Sequence, residues 1–345
     1  MKRVLNFIAA IVTVILMISC NQENNINTNE EINATMISPD GLPSIAISKL
    51  ITDNSKFENI TLECSIQKTT DLLLSELMKG EADLAIVPSN LALQAYKKEL
   101  GYKVAATIGW GSLYLVSTED ISDISELEGC EIYNTGKGLT PDIVFRNILL
   151  DNNVNEENIE FSYVGAASEL APLLISEQAK YAVVPEPVLS TVMAKNSNIK
   201  IVLNLNDEWA KINNLEKGYP QSTLLIKEEF YNKIKDTNAY DKLIETFNES
   251  EKWVIDNPQL AAEKCEEVGI TVNKDVINES IKNSNLNFTK IEDSEEEYET
   301  YFSNIDAENK GESGEYDSIF IKKLKVFNYF NIYTYISLAS SSYYC

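Results

Sequence analysis

The sequence predicts an α/β fold built as two lobes of similar design, and three observations carry that expectation. Two separated stretches echo each other, ADLAIVPSNL over 82–91 and AKYAVVPEPVLS over 179–190, so that Ala82 falls on Ala179, Ala85 on Ala182, Val87 on Val184 and Pro88 on Pro185. Each copy reads as helix, buried strand, proline stop and new helix. A run of about four apolar residues bounded by breakers fits a strand buried on both faces, and Pro ends it because it cannot donate to a ladder. Helical and extended patterns alternate around both copies, as in βαβ units. The third observation is size: 345 residues, 44% hydrophobic and 24% charged, are enough for roughly two domains. Loops past the carboxyl ends of parallel strands are where open α/β sheets bind ligands, which makes the two proline loops candidate walls of one cleft.

Composition narrows the chemistry. A net charge of −24 argues against nucleic acid and against an electrostatic grip on anionic lipid, since both need clustered Lys and Arg. The chain has no His, which removes the usual general base, proton shuttle and metal ligand. No catalytic residue, metal site or cofactor is therefore expected. Arginine occurs twice, as Arg3 and Arg146. Cys20, Cys64, Cys130, Cys265 and Cys345 show neither metal spacing nor a CxxC pair, so unpaired thiols are expected.

Residues 1–19 have Lys2 and Arg3 ahead of an apolar run from Val4 to Ile18, the layout of a secretory signal, too short for a permanent span. Residues 20–31, beginning CNQENNINTNEE, are polar enough for a flexible tether. A first strand is expected at 32–38, then a helix from PDGLPSIAISKLI with Pro43 near its first position. Strand 60–66, helix TTDLLLSELMKG closed by Gly80, the first echo, helix NLALQAYKKELG and strand YKVAATI follow. Gly109 to Ser112 then lead to the extended LYLVS, and the first crossing between lobes falls there.

In the second lobe, the spacing of Ser122 to Ser125 with Glu126 and Glu128 reads as a short helix start before the strand GCEIYN. NTGKGLTPDIVFRNILLDNN is a Gly-rich loop opening a helix, with Thr140 expected as N-cap and Pro141 at N1. Such a start favours an anion through exposed N–H groups and the helix dipole, and simple capping explains it equally well. It lacks the third glycine of a dinucleotide fingerprint. Strand IEFSYVG, helix ASELAPLLISEQ, the second echo and strand NIKIVLNL complete the lobe. DEWAKINNLEKGYPQST reads as a loop or partial helix, TLLIK as a return strand, and four helical patterns run to about 284. The acidic IEDSEEEYET, 291–300, is expected to be solvated. An uncharged, Tyr- and Phe-rich tail, VFNYFNIYTYISLASSSYYC, ends the chain and suggests no function.

MKGEADLAIVPSN, the LVS followed by ISELEGCEIYNTGKGLTPDIVFRNIL, and YAVVPEPVLS, taken in that order over roughly 33–320, resemble the substrate-binding proteins of ABC importers, and more narrowly their nitrate, sulfonate and thiamine-precursor group. The end of the signal resembles a lipobox, with Met17 departing from the commonest pattern and Cys20 as the acylated residue. Glu128, Gly129, Cys130 and Glu131 replace a segment that is usually basic in that group. The resemblance implies a periplasmic binding protein type II-like fold of two lobes joined by two crossings: lobe one over 32–112 and 222–320, lobe two over 113–221, with 321–345 an atypical tail. It implies a clamp that closes on a small organic solute, a sulfonate or other anion or a precursor-like ring compound, exported, lipid-anchored to the outer face of the membrane, monomeric and delivering to the transmembrane subunit of an ABC permease.

By position, lobe one would contribute Ser38, Asp40, Gly41 and Leu42, then Ser89 and Asn90, and Trp110, Gly111 and Ser112 at the crossing. Lobe two would contribute Gly136, Lys137, Gly138, Leu139 and Thr140, Gly165, Ala166 and Ala167, and Glu186. Trp110 reads either as a stacking platform or as a packing residue. Glu186 reads as an acceptor for an amine or ring N–H, or as a carboxylate that complements a helix dipole. For Arg146 a surface salt bridge is expected before an anion contact. Two other functions stay open on sequence, an enzyme of pyrimidine-precursor type on the same fold and a surface lipoprotein acting as adhesin or sensor. The lack of a nucleophile with an adjacent base argues against the enzyme.

Overall fold

A computed structural model describes residues 31–53, 55–306 and 316–322. The expectations for the signal, for Cys20, for the tether up to residue 30 and for the tail beyond 322 lie outside these residues.

Two sheets form the frame. The first holds seven strands in the order β12-β5-β11-β4-β1-β3-β2, and the second five in the order β10-β6-β9-β7-β8. In chain order the first half of the molecule runs β1 Ile32–Pro39, helices α1 Leu42–Ala46 and α2 Ser48–Asp53, β2 Lys56–Phe57, β3 Ile60–Gln67, α3 Thr70–Lys79, β4 Leu84–Pro88, α4 Ser89–Lys97 and β5 Tyr102–Trp110. The chain then enters the second sheet with β6 Leu113–Ser117, β7 Glu131–Thr135, α5 Thr140–Asp151, β8 Glu160–Val164, α6 Leu170–Ile175, β9 Tyr181–Pro185, α7 Val188–Lys195 and β10 Lys200–Asn204. Helix α8 Leu205–Asn213 leads back to β11 Pro220–Lys227 in the first sheet. Helices α9 Glu228–Ile234, α10 Asn238–Asp256, α11 Pro258–Glu267 and α12 Lys274–Asn283, then β12 Leu286–Lys290 and α13 Glu295–Ile305, complete it.

The two echoes occupy equivalent places. β4 runs parallel to β1 on one side and antiparallel to β11 on the other. β9 runs parallel to β7 on one side and antiparallel to β6 on the other. Leu84 to Val87 are completely buried, as are Ala182 to Val184, so both apolar runs are central strands covered on both faces.

One residue stitches the two crossings together. Asn206 Oδ1 accepts the N–H groups of Gly111 and Tyr219, each at 3.1 Å, while its Nδ2 donates to Lys217 O at 2.9 Å. The outgoing chain at Gly111 and the returning chain at Tyr219 also share a backbone bond, Gly111 N to Tyr219 O at 3.0 Å. A Cβ on Gly111 would lie 2.3 Å from the Tyr219 ring, and one on Gly218, whose φ is +93°, would lie 2.1 Å from Asn206 Oδ1. Glycine is required at both positions by close approach.

One local expectation needs correction. Residues 291–300 are not a solvated run: most of them enter α13, which buries Glu297, Tyr298, Tyr301 and Phe302. The acidic residues mask an apolar stripe at helical spacing, and that stripe decides the placement. The partial helix expected in DEWAKINNLEKGYPQST is α8, which ends at Asn213 before a loop and has Asn204 accepting Asn206 N–H as its cap. The short helix start expected before β7 is the turn Ile124–Leu127, capped by Asp123, with Glu126 returning the bond to the Asp123 backbone. Strand β12 was hidden in a polar stretch, and it pairs with the outer edge of β5.

Candidate functional site

The strand ends of the two sheets meet across a seam, and the loops singled out in the sequence lie along it. Starting from lobe one, Ser38 Oγ is 2.8 Å from Ser44 Oγ, which donates to Pro39 O at 2.7 Å. Asp40 accepts the N–H and hydroxyl of Thr271 at 3.1 and 2.5 Å and pairs with Lys68 at 3.2 Å. Gly41 opens α1, and Leu42 is buried in the core. Ser89 Oγ sits 2.7 Å from Thr223 Oγ1, which is 2.7 Å from Tyr298 OH. These hydroxyls are partnered inside lobe one, while Asn90 lines an open groove.

At the crossing, Trp110 is 2% exposed and its indole N–H donates to Asn287 O at 3.0 Å. This geometry is that of a packing residue, tied to the strand beside it. Ser112 exchanges two bonds with Gln221: its N–H donates to Oε1 at 2.8 Å and its Oγ accepts from Nε2 at 3.0 Å.

In lobe two the Gly-rich loop caps itself. Thr140 is the first residue of α5, not its N-cap, and it makes no capping bond. No side chain caps the helix; Asp142, inside its first turn, reaches back to the N–H of Gly138 at 2.8 Å. The same carboxylate accepts from Arg146 Nε at 2.8 Å and Tyr163 OH at 2.6 Å, and Arg146 Nη1 pairs with Glu156 at 2.7 Å. Arg146 is thus committed to ion pairs, as expected of it. Lys137, Gly138 and Leu139 are exposed and Gly136 is half-buried. Gly165 and Ala166 are exposed, with Ala167 half-buried.

Glu186 is the buried charge of the seam, 5% exposed. Its Oε1 accepts from Ser190 Oγ at 2.9 Å and its Oε2 from Ser190 N at 3.4 Å. Burial raises its pKa to about 7, against the opposing pull of Ser190, Ser280 and Asn283.

Among the described residues the lobes touch at several points. Tyr114 OH donates to Asn283 O, Asn283 Nδ2 donates to Ser190 Oγ at 3.2 Å, and Thr140 Oγ1 lies 2.6 Å from Tyr301 OH. Two grooves flank this contact. One, of about 360 Å³, brings Asn90, Gln94 and Lys97 of lobe one against Gly138, Leu139 and Thr140 of lobe two. The other, of about 580 Å³, lies between Pro187, Val188 and Thr191 on one side and Thr271 to Asn273 and Val276 on the other. Among the described residues no group of three or more Cys, Asp or Glu is placed to hold a metal ion.

A crystal structure of an ABC transporter protein from Parabacteroides distasonis superposes with a TM-score of 0.71 at 20% identity, covering 85% of this chain and all of that one. The periplasmic aliphatic sulphonate binding protein SsuA of Escherichia coli gives 0.62 at 11%, covering 79% of this chain and 87% of its own. The fold is that of the type II periplasmic binding proteins. The periplasmic nitrate-binding protein NrtA of Synechocystis shares it with a TM-score of 0.55 at 12% identity, over 73% of this chain and 70% of that one. No protein-family model matches the sequence, and no curated protein does.

Within this periplasmic binding fold, sequence reading placed Glu186 and Thr140 on the seam but missed their partners. Ser280 and Asn283 sit at the end of a helix with an ordinary amphipathic pattern. Tyr301 was concealed in the acidic run, although Tyr298 and Tyr301 at spacing i, i+3 are the signal that reveals it.

Proposed function

We propose that this protein is the solute-binding component of an ABC importer, exported and held at the membrane by an acyl chain on Cys20. It would capture a small organic molecule between its lobes and hand it to a permease. The observation that carries this reading is the arrangement of the seam: two lobes of matching build, each presenting the loops after its central strand to the other, in a fold shared with sulphonate- and nitrate-binding proteins. The ligand contacts proposed on lobe one are Asn90 and the loop 38–42. On lobe two they are residues 136–140, 165–167 and Glu186. Trp110, Gly111 and Ser112 would form the floor, with Trp110 as a support.

Solute binding to the folded state alone raises stability by mass action, about 2.7 kcal/mol at a hundredfold excess over Kd. Thermal unfolding in the presence of sulfonates, pyrimidines, flavins and nitrate is therefore expected to show a shift of several degrees with one class. If all four classes leave the midpoint in place, the receptor reading fails. Incorporation of labelled palmitate, lost in Cys20→Ser, tests the anchor.

A further inference from the structure

The charge pattern of the seam points away from the anions bound by the sulphonate and nitrate proteins. Three observations agree. First, Glu186 brings a carboxyl into a buried place where its hydrogen bonds come from Ser190, and among the described residues no Lys or Arg forms an ion pair with it. Second, Ser280 on the facing helix α12 of lobe one is completely buried with its hydroxyl toward the same carboxyl, and among the described residues no full hydrogen bond satisfies its Oγ. A buried polar group left unpaired costs free energy, and a buried carboxylate without a cation costs more. Third, the Gly-rich loop that would suit an anion already faces a carboxylate, that of Asp142, which takes the Gly138 N–H and engages Arg146. The seam therefore offers a buried acceptor and an incompletely satisfied hydroxyl, with a carboxylate at its Gly-rich loop.

We propose that the solute carries a positively charged hydrogen-bond donor, such as an amine, an amidinium or a protonated ring nitrogen, held by Glu186 from lobe two and Ser280 from lobe one. This rests on the clamp reading above and names its ligand class. Pro187 and Val188, next to Glu186, line the groove of about 580 Å³; Glu186 and Ser280 are not among its lining residues, and a small organic cation would reach them from it as the lobes part. The cation would join the two lobes by replacing a costly burial with an ion pair, so that closure and recognition become one event. The other titratable groups near Glu186 are Tyr114 on β6, whose own pKa is pushed up to about 12 by burial and by Glu186, and Asp207, which acts on Tyr114. Helices α7 and α12 contribute Ser190, Ser280 and Asn283.

The test is calorimetric titration of the full-length protein in detergent with ethanolamine, agmatine and benzamidine, and in parallel with ethanesulfonate, sulfate and nitrate. At least one cation is expected to bind, with Glu186→Gln weakening it at least tenfold and Ser280→Ala several-fold. Because Glu186 must be ionised to hold a cation, wild-type affinity is expected to fall by up to tenfold per pH unit below about 7, a profile that needs no variant. Binding of an anion, unchanged by Glu186→Gln, overturns the charge assignment and leaves the clamp standing. An anionic solute released on acid denaturation of the purified protein does the same. If neither set binds and no small solute is released, both the charge assignment and the clamp fall.

Discussion

Thr140 and Tyr301 share a hydrogen bond of 2.6 Å although they belong to opposite lobes, one at the start of α5 and the other inside α13. The bond links the Gly-rich loop to the last helix of lobe one, so it exists only when the lobes are together. A neutral bond of this kind contributes about 1 kcal/mol net. Tyr301→Phe is therefore expected to shift the balance between closed and open forms about fivefold toward open, with Thr140→Val giving the same shift and the double variant no more than either. Small-angle scattering of the three variants without solute checks this; additive effects would mean that the two residues act separately.

The Asn206 clasp predicts where the crossings are intolerant. Asn206→Ala leaves the Tyr219 N–H without its acceptor in a buried place and the Gly111 N–H with Tyr219 O alone, at an expected cost of about 2 kcal/mol. Gly111→Ala forces a methyl group into the Tyr219 ring and is expected to cost about as much through overpacking. Urea denaturation would measure both. A loss under about 0.5 kcal/mol, the range of ordinary surface changes, would show that the crossings do not depend on this contact.

Two buried carboxyls set the pH dependence of stability. Glu186 has its pKa raised to about 7 by burial, and Glu251, whose Oε2 has no partner, is raised well above the usual carboxylate range by burial. A raised folded-state pKa means that the folded protein binds more protons than the unfolded chain. The stability these groups contribute is full below about 4.5, the unfolded value, and is lost as pH rises through the folded value. Asp53, held at about 2 first of all by Lys264, works the other way, but only as pH falls below 3.8. Urea unfolding is therefore expected to show lower stability at pH 8 than at pH 5. Glu251→Gln, which keeps an acceptor for Phe288 N–H, should flatten that slope and raise stability at pH 8. A variant no more stable than wild type at pH 8 would count against an uncompensated charge at that position.

The lobes were legible because β4 and β9 repeat an apolar run ended by proline, and sheet strands buried on both faces have little freedom in composition. The second-sheet helices followed from Gly and Pro at their ends. What escaped was decided by tertiary packing. The charges of Glu295, Glu296 and Glu297 outweigh Tyr298 and Phe302 in a linear reading, yet burial of those rings fixes α13. Trp110 carries no local sign of whether its ring faces solute or protein; the Asn287 carbonyl that takes its N–H lies far away in sequence. Thr140 had the residue type of a cap, but the helix starts on it, the N–H groups of Asp142 and Ile143 go to the Leu139 carbonyl, and the Asp142 carboxylate reaches back to the Gly138 N–H. Ser280 and Glu186 could be joined only by the fold, since they sit on different lobes.

The central claim is that a solute draws the lobes together, and the distance between them tests it most directly. Spin labels on unnatural residues at the exposed positions Lys98 in lobe one and Glu157 in lobe two avoid the free thiols Cys64 and Cys130. Pulsed dipolar spectroscopy should find a broad or double distribution without solute, and a single shorter distance once a stoichiometric ligand is added. A ligand that saturates the protein while leaving the distribution unchanged would contradict the clamp.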